Sequence, residues 1–348
     1  MRRISRITVA GAATASLALA LSACGGTSTE SSSESKGDKG LAIAYDVGGK
    51  GDQSFNDAAY AGLEQAQKEF GYETQDVEPT EGETDADKQQ RLESLAKQGY
   101  NPVVGVGYAY AAAVKGAAEK FPDTTFGIVD DSTVEATNVA DLVFSEEEAS
   151  YLAGVAAAKS TKTNVVGFVG GVDIPLIHKF QAGFEQGVKD TNSKAKVISQ
   201  YLTQTAEEGG FSSPDKGKTA AEGQIEKKAD VVYAAAGLSG QGVIEAAAAN
   251  KVWAIGVDSD QYKQEALAKY KDSILTSAMK DVAKAVYNLA KSVEDGKPET
   301  GIVRGDLKTG EVSLSNSNPK FADNAELQEA IETAKEKIIN GEIKVKSS

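Results

Sequence analysis

The sequence predicts two α/β domains, each built on a doubly wound parallel sheet. Three observations predict this fold class. Short apolar runs rich in Val, Ile, Ala and Gly recur along the chain, segments with helical periodicity separate them, and the alternation occurs in both halves of the chain. The residues that follow position 40, roughly 300 of them, are enough for two domains of ordinary size.

The alternation of strands and helices can be followed along the chain. In the first half we predict strands at 41–47, 101–107, 124–131 and 138–145 and helices at 58–71 and 111–121. In the second half we predict strands at 164–171, 194–202, 230–237 and 252–260 and helices at 180–189, at 216–228 and up to Asn250. The segment 274–281 is predicted to be a strand or a crossing between domains, and helices are predicted within 282–297 and 325–345.

The first 40 residues are predicted to be a leader and a tether rather than part of the fold. A basic start, MRRISR, precedes an apolar run that ends in LSAC at Cys24, which is typical of a cleaved export signal over 1–23. LSAC resembles the bacterial lipobox, so we expect Cys24 to become the lipidated, palmitate-bearing first residue of the mature chain. An ordinary signal peptide with a chance cysteine is the alternative. Residues 24–40, rich in Ser and Gly, are predicted to be a flexible tether.

Composition excludes several classes of function. The formal net charge is −14, which argues against nucleic-acid binding. Cys24 is the only cysteine, so no disulfide can form within the chain. One histidine, His178, and one cysteine are too few for a thiolate or multi-histidine transition-metal site.

Three short segments resemble motifs of enzymes or metal sites, but each lacks a residue that its motif requires. SPDKGKT (213–219) ends like a phosphate-binding loop, but Ser212 occupies the position of the first glycine. GLSGQ (237–241) has Gln241 where a nucleophile elbow needs its second glycine. DVGGKGDQSFND (46–57) lacks the spaced ligands and terminal Glu of an EF-hand. The sequence therefore predicts a protein that is not an enzyme and uses no cofactor and no metal; a calcium site built from carboxylates remains the open alternative.

Polar residues and glycines follow several of the predicted strands. They are Asp46, Asp130, Gly237 and Asp258. Each Asp taken singly could be a turn or cap residue. Because ligands bind outside the carboxyl ends of parallel strands, four such positions together predict a ligand cleft between the two domains.

The loop that follows the first strand adds an aromatic ring and an amide to this cleft. Its glycines allow the backbone to bend close to a ligand, and Ser54 is predicted to cap the next helix. Phe55 and Asn56 would then face the cleft from the first helical turn, where a ring can stack on a flat ligand and an amide can offer a donor and an acceptor. The alternative for Phe55 is a hydrophobic staple on its own helix.

Six motifs together resemble a known family. DVGGKGDQSFN, FGIVD, VGFVGG, AAAGLSGQGVIEAA, AIGVDSDQ and LTSAMKD are similar to segments of the basic membrane protein family of substrate-binding lipoproteins. The best-understood type in that family is a purine nucleoside receptor of an ABC importer. The resemblance covers 41 to about 305 of this chain. It implies a type I periplasmic-binding-protein fold that closes by hinge motion around its ligand.

The resemblance also implies roles for eight residues. Phe55 and Phe211 would stack on the base from opposite domains, and Asn56 and Asp130 would bond its edge. The residues that would hold the ribose are Asp46, Gly237, Asp258 and Lys280. For Lys280 the alternative is an ordinary surface charge.

The expected lobes and partners follow from the same resemblance. The N-terminal lobe is predicted to comprise 41–143 and 276–300, and the C-terminal lobe 144–275 and 301–348, with crossings near 144, 275 and 300. We expect a monomer, anchored by lipid on the extracytoplasmic face of the cell membrane, that delivers a nucleoside to a permease driven by a separate ATPase. A receptor for a sugar or another small molecule on the same fold, and a surface lipoprotein without a transport role, remain open.

Overall fold

The computed structural model of the protein describes residues 39–348, so the predicted leader, Cys24 and nearly all of the predicted tether lie outside the described residues. The strands in this range are β1 (Lys39–Ala44), β2 (Glu73–Val77), β3 (Val103–Gly105), β4 (Phe126–Val129), β5 (Val139–Phe144), β6 (Val165–Val172), β7 (Lys196–Thr203), β8 (Val231–Ala235), β9 (Trp253–Asp258), β10 (Ile274–Lys280), β11 (Gly301–Gly305) and β12 (Val312–Leu314). The helices are α1 (Phe55–Phe70), α2 (Asp85–Lys97), α3 (Ala111–Lys120), α4 (Glu146–Ser160), α5 (Pro175–Thr191), α6 (Pro214–Glu226), α7 (Gly240–Asn250), α8 (Val282–Glu294), α9 (Pro319–Ala322) and α10 (Ala325–Ile339).

The strands form two six-stranded sheets with the same winding. Their orders are β2-β1-β3-β4-β5-β11 and β7-β6-β8-β9-β10-β12. In each sheet the second strand (β2 or β7) lies on one side of the first (β1 or β6), and all later strands are added on the other side. This is the doubly wound pattern, and its switch point lies beside the first strand. All pairs are parallel except β12, which runs antiparallel to β10. The predicted fold class, two doubly wound α/β domains, is confirmed, with β12 as the antiparallel exception.

The chain passes between the sheets three times, and two crossings lie later than predicted. The segment 274–280 is a strand of the second sheet, because it pairs with β9 up to Met279, whose partner is Asp258. The crossing follows at Asp281, which caps α8 by accepting a hydrogen bond from the backbone N–H of Lys284 at 2.9 Å. Strand β11 pairs with β5 in the first sheet, so the last crossing lies between 305 and 312.

The predicted boundaries at 276 and 301 are therefore wrong by several residues. The first lobe, as the term is used below, comprises 39–144 and 281–305. The second lobe comprises 145–280 and 306–348. The predicted tether is also too long by two residues, because β1 begins at Lys39.

Helix packing in the core depends on small residues. A Cβ atom on Gly62 of α1 would lie 2.4 Å from the backbone oxygen of Ala283, which shows how closely α8 approaches α1. In the second lobe, a Cβ on Gly154 of α4 would lie 2.3 Å from the backbone oxygen of Phe184 in α5. Such contacts leave no room for a larger side chain. Among residues 39–348, no helix is long and apolar enough to cross a membrane.

Candidate functional site

The carboxyl ends of the two sheets face one cavity between the lobes. All eight residues predicted for the site line this cavity: Asp46, Phe55, Asn56, Asp130, Phe211, Gly237, Asp258 and Lys280. The structure thus brings together side chains from both lobes that are more than 200 positions apart in sequence. Ligand contact by these residues stays a prediction.

The loop after β1 is shaped by its own carboxylate and its glycines. Asp52, which is 2% exposed, accepts hydrogen bonds from the backbone N–H groups of Ser54 and Asn56, both at 2.9 Å. Asp52 therefore caps α1, and the prediction that the Ser54 hydroxyl does so is wrong. Gly48 has φ of +95° and Gly51 of +100°, a backbone conformation that favours glycine.

The side chain of Asn56 fixes the backbone at Asp46. Its amide oxygen accepts from the backbone N–H of Asp46 at 3.0 Å, and its amide nitrogen donates to Asp52 at 3.1 Å. The side chain of Asn56 therefore holds the end of β1 against the start of α1. The predicted contact of Asn56 with the edge of a base would have to form in addition to these bonds.

Asp46 lies in a confined and dehydrated position. Burial raises the pKa of Asp46 to about 7, well above the ordinary value for an aspartate. Gly107, which follows β3, has φ of +102°, and a Cβ atom there would lie 2.3 Å from a carboxylate oxygen of Asp46. Glycine at 107 is therefore needed both for the backbone conformation and for the space that Asp46 occupies.

Lys280 is a buried cation at the centre of a group of carboxylates. Its Nζ lies 2.6 Å from Asp130, 3.7 Å from Asp258 and 4.0 Å from Glu146, while its side chain is only 4% exposed. Burial opposes the charge of Lys280, but the three carboxylates outweigh it, so the pKa of Lys280 is raised. The alternative of an ordinary surface charge does not hold for this residue.

Aromatic rings surround the same ammonium group. The centroid of the Phe55 ring lies 4.7 Å from Nζ of Lys280, and that of Phe180 lies 5.5 Å away. Both distances are within the range of cation–π attraction, which strengthens where water is excluded. Phe55 therefore faces the cavity rather than packing only on its own helix.

Glu146 belongs to this cluster although no sequence pattern indicated it. It is the first residue of α4, directly after the first crossing, and is 2% exposed. One carboxylate oxygen accepts from Lys179 at 3.1 Å, and the other has no hydrogen-bond partner within residues 39–348. Burial raises the pKa of Glu146 to about 7, although Lys280 and Lys179 act in the opposite direction.

Asp130 and Asp258 hold unusual backbone conformations at their strand ends. Their φ angles are +68° and +61°, which cost energy for a residue other than glycine and often mark functional positions. One carboxylate oxygen of Asp258 accepts from the hydroxyl of Ser54 at 2.7 Å, and burial raises the pKa of Asp258. Oδ1 of Asp130 is buried without a hydrogen-bond partner in the described part of the chain. It is an acceptor available to a donor group in the cavity.

The second lobe contributes the remaining walls. The ring of Phe211 lies against Gly171, where a Cβ atom would come within 2.4 Å of it.

Sequence reasoning missed several lining residues, namely Val47, Asp52, Gly107, Tyr108, Leu176, Ile177, Phe180, Ala235, Ala236 and Val257. Tyr108 could have been found, because it comes just after β3 ends, at the same sheet edge as Asp46.

The chemistry of the cavity is that of an acceptor-rich, aromatic-walled slot. Four buried carboxylates, Asp46, Asp52, Asp130 and Asp258, line it with a single lysine. Such a set accepts hydrogen bonds from hydroxyl or amino groups, and its excess negative charge opposes the entry of anions. Within residues 39–348 no group of three or more His, Cys, Asp or Glu side chains is arranged to hold a metal ion.

Comparisons with known proteins agree with this architecture. A family model described as "ABC transporter substrate-binding protein PnrA-like" (Bmp) matches residues 40–348. The chain is 36% identical to the "ABC transporter nucleoside-binding protein BmpA" of Lactococcus lactis over 98% of each chain. It is 35% identical to an uncharacterized lipoprotein of Pyrococcus abyssi, covering 82% of this chain and 70% of the relative. A solved ABC transporter solute-binding protein from Aeropyrum pernix superimposes with a TM-score of 0.77 at 28% identity, covering 89% of this chain and 94% of that one.

Proposed function

The chain belongs to the family of PnrA-like ABC transporter substrate-binding proteins, and we propose that it captures a purine nucleoside in the interlobe cavity. The observation that carries the proposal is one cavity to which each lobe contributes aromatic rings, the first lobe three carboxylates and the second lobe one, Asp258. The name of the Lactococcus relative, a nucleoside-binding protein, supports the same ligand class.

The lining residues match the two parts of a nucleoside. A base would stack between Phe55 of the first lobe and Phe211 of the second, at about 1–3 kcal/mol per ring. The ribose offers neighbouring hydroxyl donors, which Asp46 and Asp258 would accept from opposite lobes. Hydrogen bonds to charged groups contribute about 1.5–3 kcal/mol each, so a micromolar or tighter Kd is expected after the cost of association.

The free acceptor on Asp130 favours a base that carries a donor at its edge. Oδ1 of Asp130 is buried and unpaired within 39–348, whereas Oδ2 is bonded to Lys280 at 2.6 Å. A ring N–H or an exocyclic amino group would satisfy the free oxygen. A purine nucleoside supplies such a donor together with the large flat surface that two stacking rings need.

The proposed activity is binding and delivery rather than catalysis. His178, the only histidine of the chain, does not line the cavity and is paired with Asp173 at 2.7 Å. Together with the sequence features at Cys24, the lipoprotein among the relatives supports a lipid anchor on the extracytoplasmic face of the membrane. We propose that the closed, monomeric receptor docks on the permease of an importer whose ATPase is a separate subunit.

Isothermal titration calorimetry with a defined ligand panel tests this proposal. Inosine, guanosine and adenosine should bind with micromolar or tighter Kd, and their 5′-monophosphates should bind at least tenfold more weakly because the carboxylates repel phosphate. Binding of pentoses or hexoses without binding of any nucleoside would contradict the proposal and favour a sugar receptor. Release of free base during incubation would instead indicate a nucleoside hydrolase.

A further inference from the structure

Hydrogen bonds outside the cavity lining join the second lobe to one loop of the first. The amide of Gln241 donates to the backbone oxygen of Gly51 at 3.3 Å, and the amide of Gln261 donates to that of Gln53 at 3.1 Å. The hydroxyl of Ser259 donates to the backbone oxygen of Ser54 at 2.8 Å. These three donors come from the end of β9, the turn after it and the start of α7. They form what we call the interlobe clasp.

The donor side of the clasp is built into the second lobe. Gln261 is 1% exposed, and its amide oxygen accepts from the backbone N–H of Val257 at 3.2 Å. Its backbone N–H donates to Ser277 at 3.2 Å. Because the amide oxygen is already bonded, the amide nitrogen is directed toward the first lobe.

The acceptor side is fixed by the first lobe alone. The carboxylate of Asp57 accepts from the backbone N–H groups of Gly51 at 2.7 Å and Gln53 at 3.0 Å. Gln53 has φ of +57°, an uncommon conformation that this local bonding holds in place. Since each side is ordered by its own lobe, little further ordering is needed when the lobes meet.

We propose that Gln241, Ser259 and Gln261 are positioning residues that hold the lobes closed and thereby set how long the ligand stays bound. They act through the 51–54 loop, which leads directly into Phe55, and none of them lines the cavity. The clasp goes beyond the proposed function and depends on it only for the choice of probe ligand. A ligand can leave only when the lobes part, so each clasp bond slows release without contributing to recognition.

The test compares two double variants, each of which removes one hydroxyl and one amide hydrogen bond to backbone oxygens. Ser259→Ala with Gln241→Ala removes two bonds between the lobes, while Gln261 is left intact because its amide also supports its own lobe. The control, Thr219→Ala with Gln328→Ala, removes one hydroxyl bond to the backbone oxygen of Asp215 at 2.9 Å and one amide bond to that of Phe321 at 2.9 Å, each within a single lobe.

Kd is measured by calorimetry with guanosine, and the dissociation rate by chasing bound radiolabelled guanosine with excess unlabelled ligand. In the clasp variant we expect the dissociation rate and Kd to rise by about 5–50-fold with little change in association rate. The control variant should keep the wild-type values, and Ser259→Thr, which retains the hydroxyl, should behave as wild type. Equal changes in the clasp and control variants, or an unchanged dissociation rate, would overturn the proposal.

A measurement without ligand separates this proposal from the proposed function. The clasp bonds involve no ligand atom, so they favour the closed form of the free chain as well. Small-angle scattering of the free proteins should therefore give a larger radius of gyration for the clasp variant than for wild type. If wild type binds no nucleoside, the proposed function fails, but a larger radius still supports the clasp. If wild type binds no nucleoside and the two radii of gyration are equal, the clasp proposal is overturned as well.

Discussion

Replacing Lys280 with methionine tests whether the buried charge cluster has the balance described above. Methionine keeps much of the apolar stem and removes the ammonium group. Asp130, Asp258 and Glu146, which lie 2.6, 3.7 and 4.0 Å from Nζ, then lose their shared counter-charge. Removing one member of a buried ion pair costs about 3–5 kcal/mol, because the remaining charge is left uncompensated. We expect a loss of that size in the free energy of unfolding at pH 8.

The loss should shrink as the pH falls. Because the pKa of Lys280 is raised above the ordinary value for a lysine, its stabilising contribution in wild type is fully present from pH 5 to pH 8. Without the lysine, the pKa values of Asp258 and Glu146 rise further above their unfolded values, and the folded variant binds more protons than the unfolded chain. The stability of the variant therefore increases on acidification, and we expect a difference from wild type of only about 1–2 kcal/mol at pH 5.

Urea unfolding at pH 5 and pH 8 measures both effects. The matched control is Lys218→Met, which removes a lysine paired with Glu245 at 2.9 Å on the surface of the same lobe. Exposed ion pairs contribute about 0.2–1 kcal/mol, so the free energy of unfolding of the control should fall by no more than about 1 kcal/mol at either pH. Equal losses for Lys280→Met and Lys218→Met, or a loss for Lys280→Met that does not change with pH, would refute the account of a buried cluster.

Two further predictions concern the cavity lining. Phe55→Ala should raise Kd for a purine nucleoside by about 5–150-fold through the loss of one stacking ring, as measured by calorimetry. Phe70→Ala, which trims the far end of α1, should leave Kd unchanged, and a similar loss in both variants would contradict the stacking role. Asp46→Asn should abolish tight binding yet raise the free energy of unfolding at pH 8 by about 1–3 kcal/mol, because the folded pKa of Asp46, about 7, makes its charge costly above that pH. In urea titrations the gain should shrink as the pH falls below 7 and vanish only near pH 4, the ordinary pKa range of an aspartate; a gain that stays constant from pH 8 to pH 4 would contradict the raised pKa.

The strand-end residues of the site could be predicted because parallel strands share one edge. Asp46, Asp130, Gly237 and Asp258 follow apolar runs of the alternating pattern, and the structure places all of them in the cavity. Phe211 was inferred only from the family resemblance, since it lies in the connection between β7 and α6 and follows no apolar run. The family itself was identified correctly from six motifs, and the match over 40–348 confirms it.

Other elements gave no usable local signal. Strand β2, ETQDV, is a polar and partly exposed edge strand, so it lacks the apolar run by which strands were identified. Helix α4 is buried on nearly all sides, which removes the amphipathic stripe of a surface helix and conceals Glu146 with it. The bond from Ser54 to Asp258 joins residues 204 positions apart, and no local pattern predicts such a contact.

The proposed ligand binding and the contacts between the lobes depend on the same side chains. Lys280 belongs to the second lobe, but its shortest ion pair is with Asp130 of the first, and Asp258 of the second lobe accepts from Ser54 of the first. The carboxylates proposed to bind the ligand are therefore oriented by contacts that exist only when the lobes meet. A ligand that fits Asp130 and Asp258 together gains its full affinity only in the closed form. By linkage, such a ligand favours closure by the same factor, so occupancy of the cavity sets how much of the protein has the closed shape.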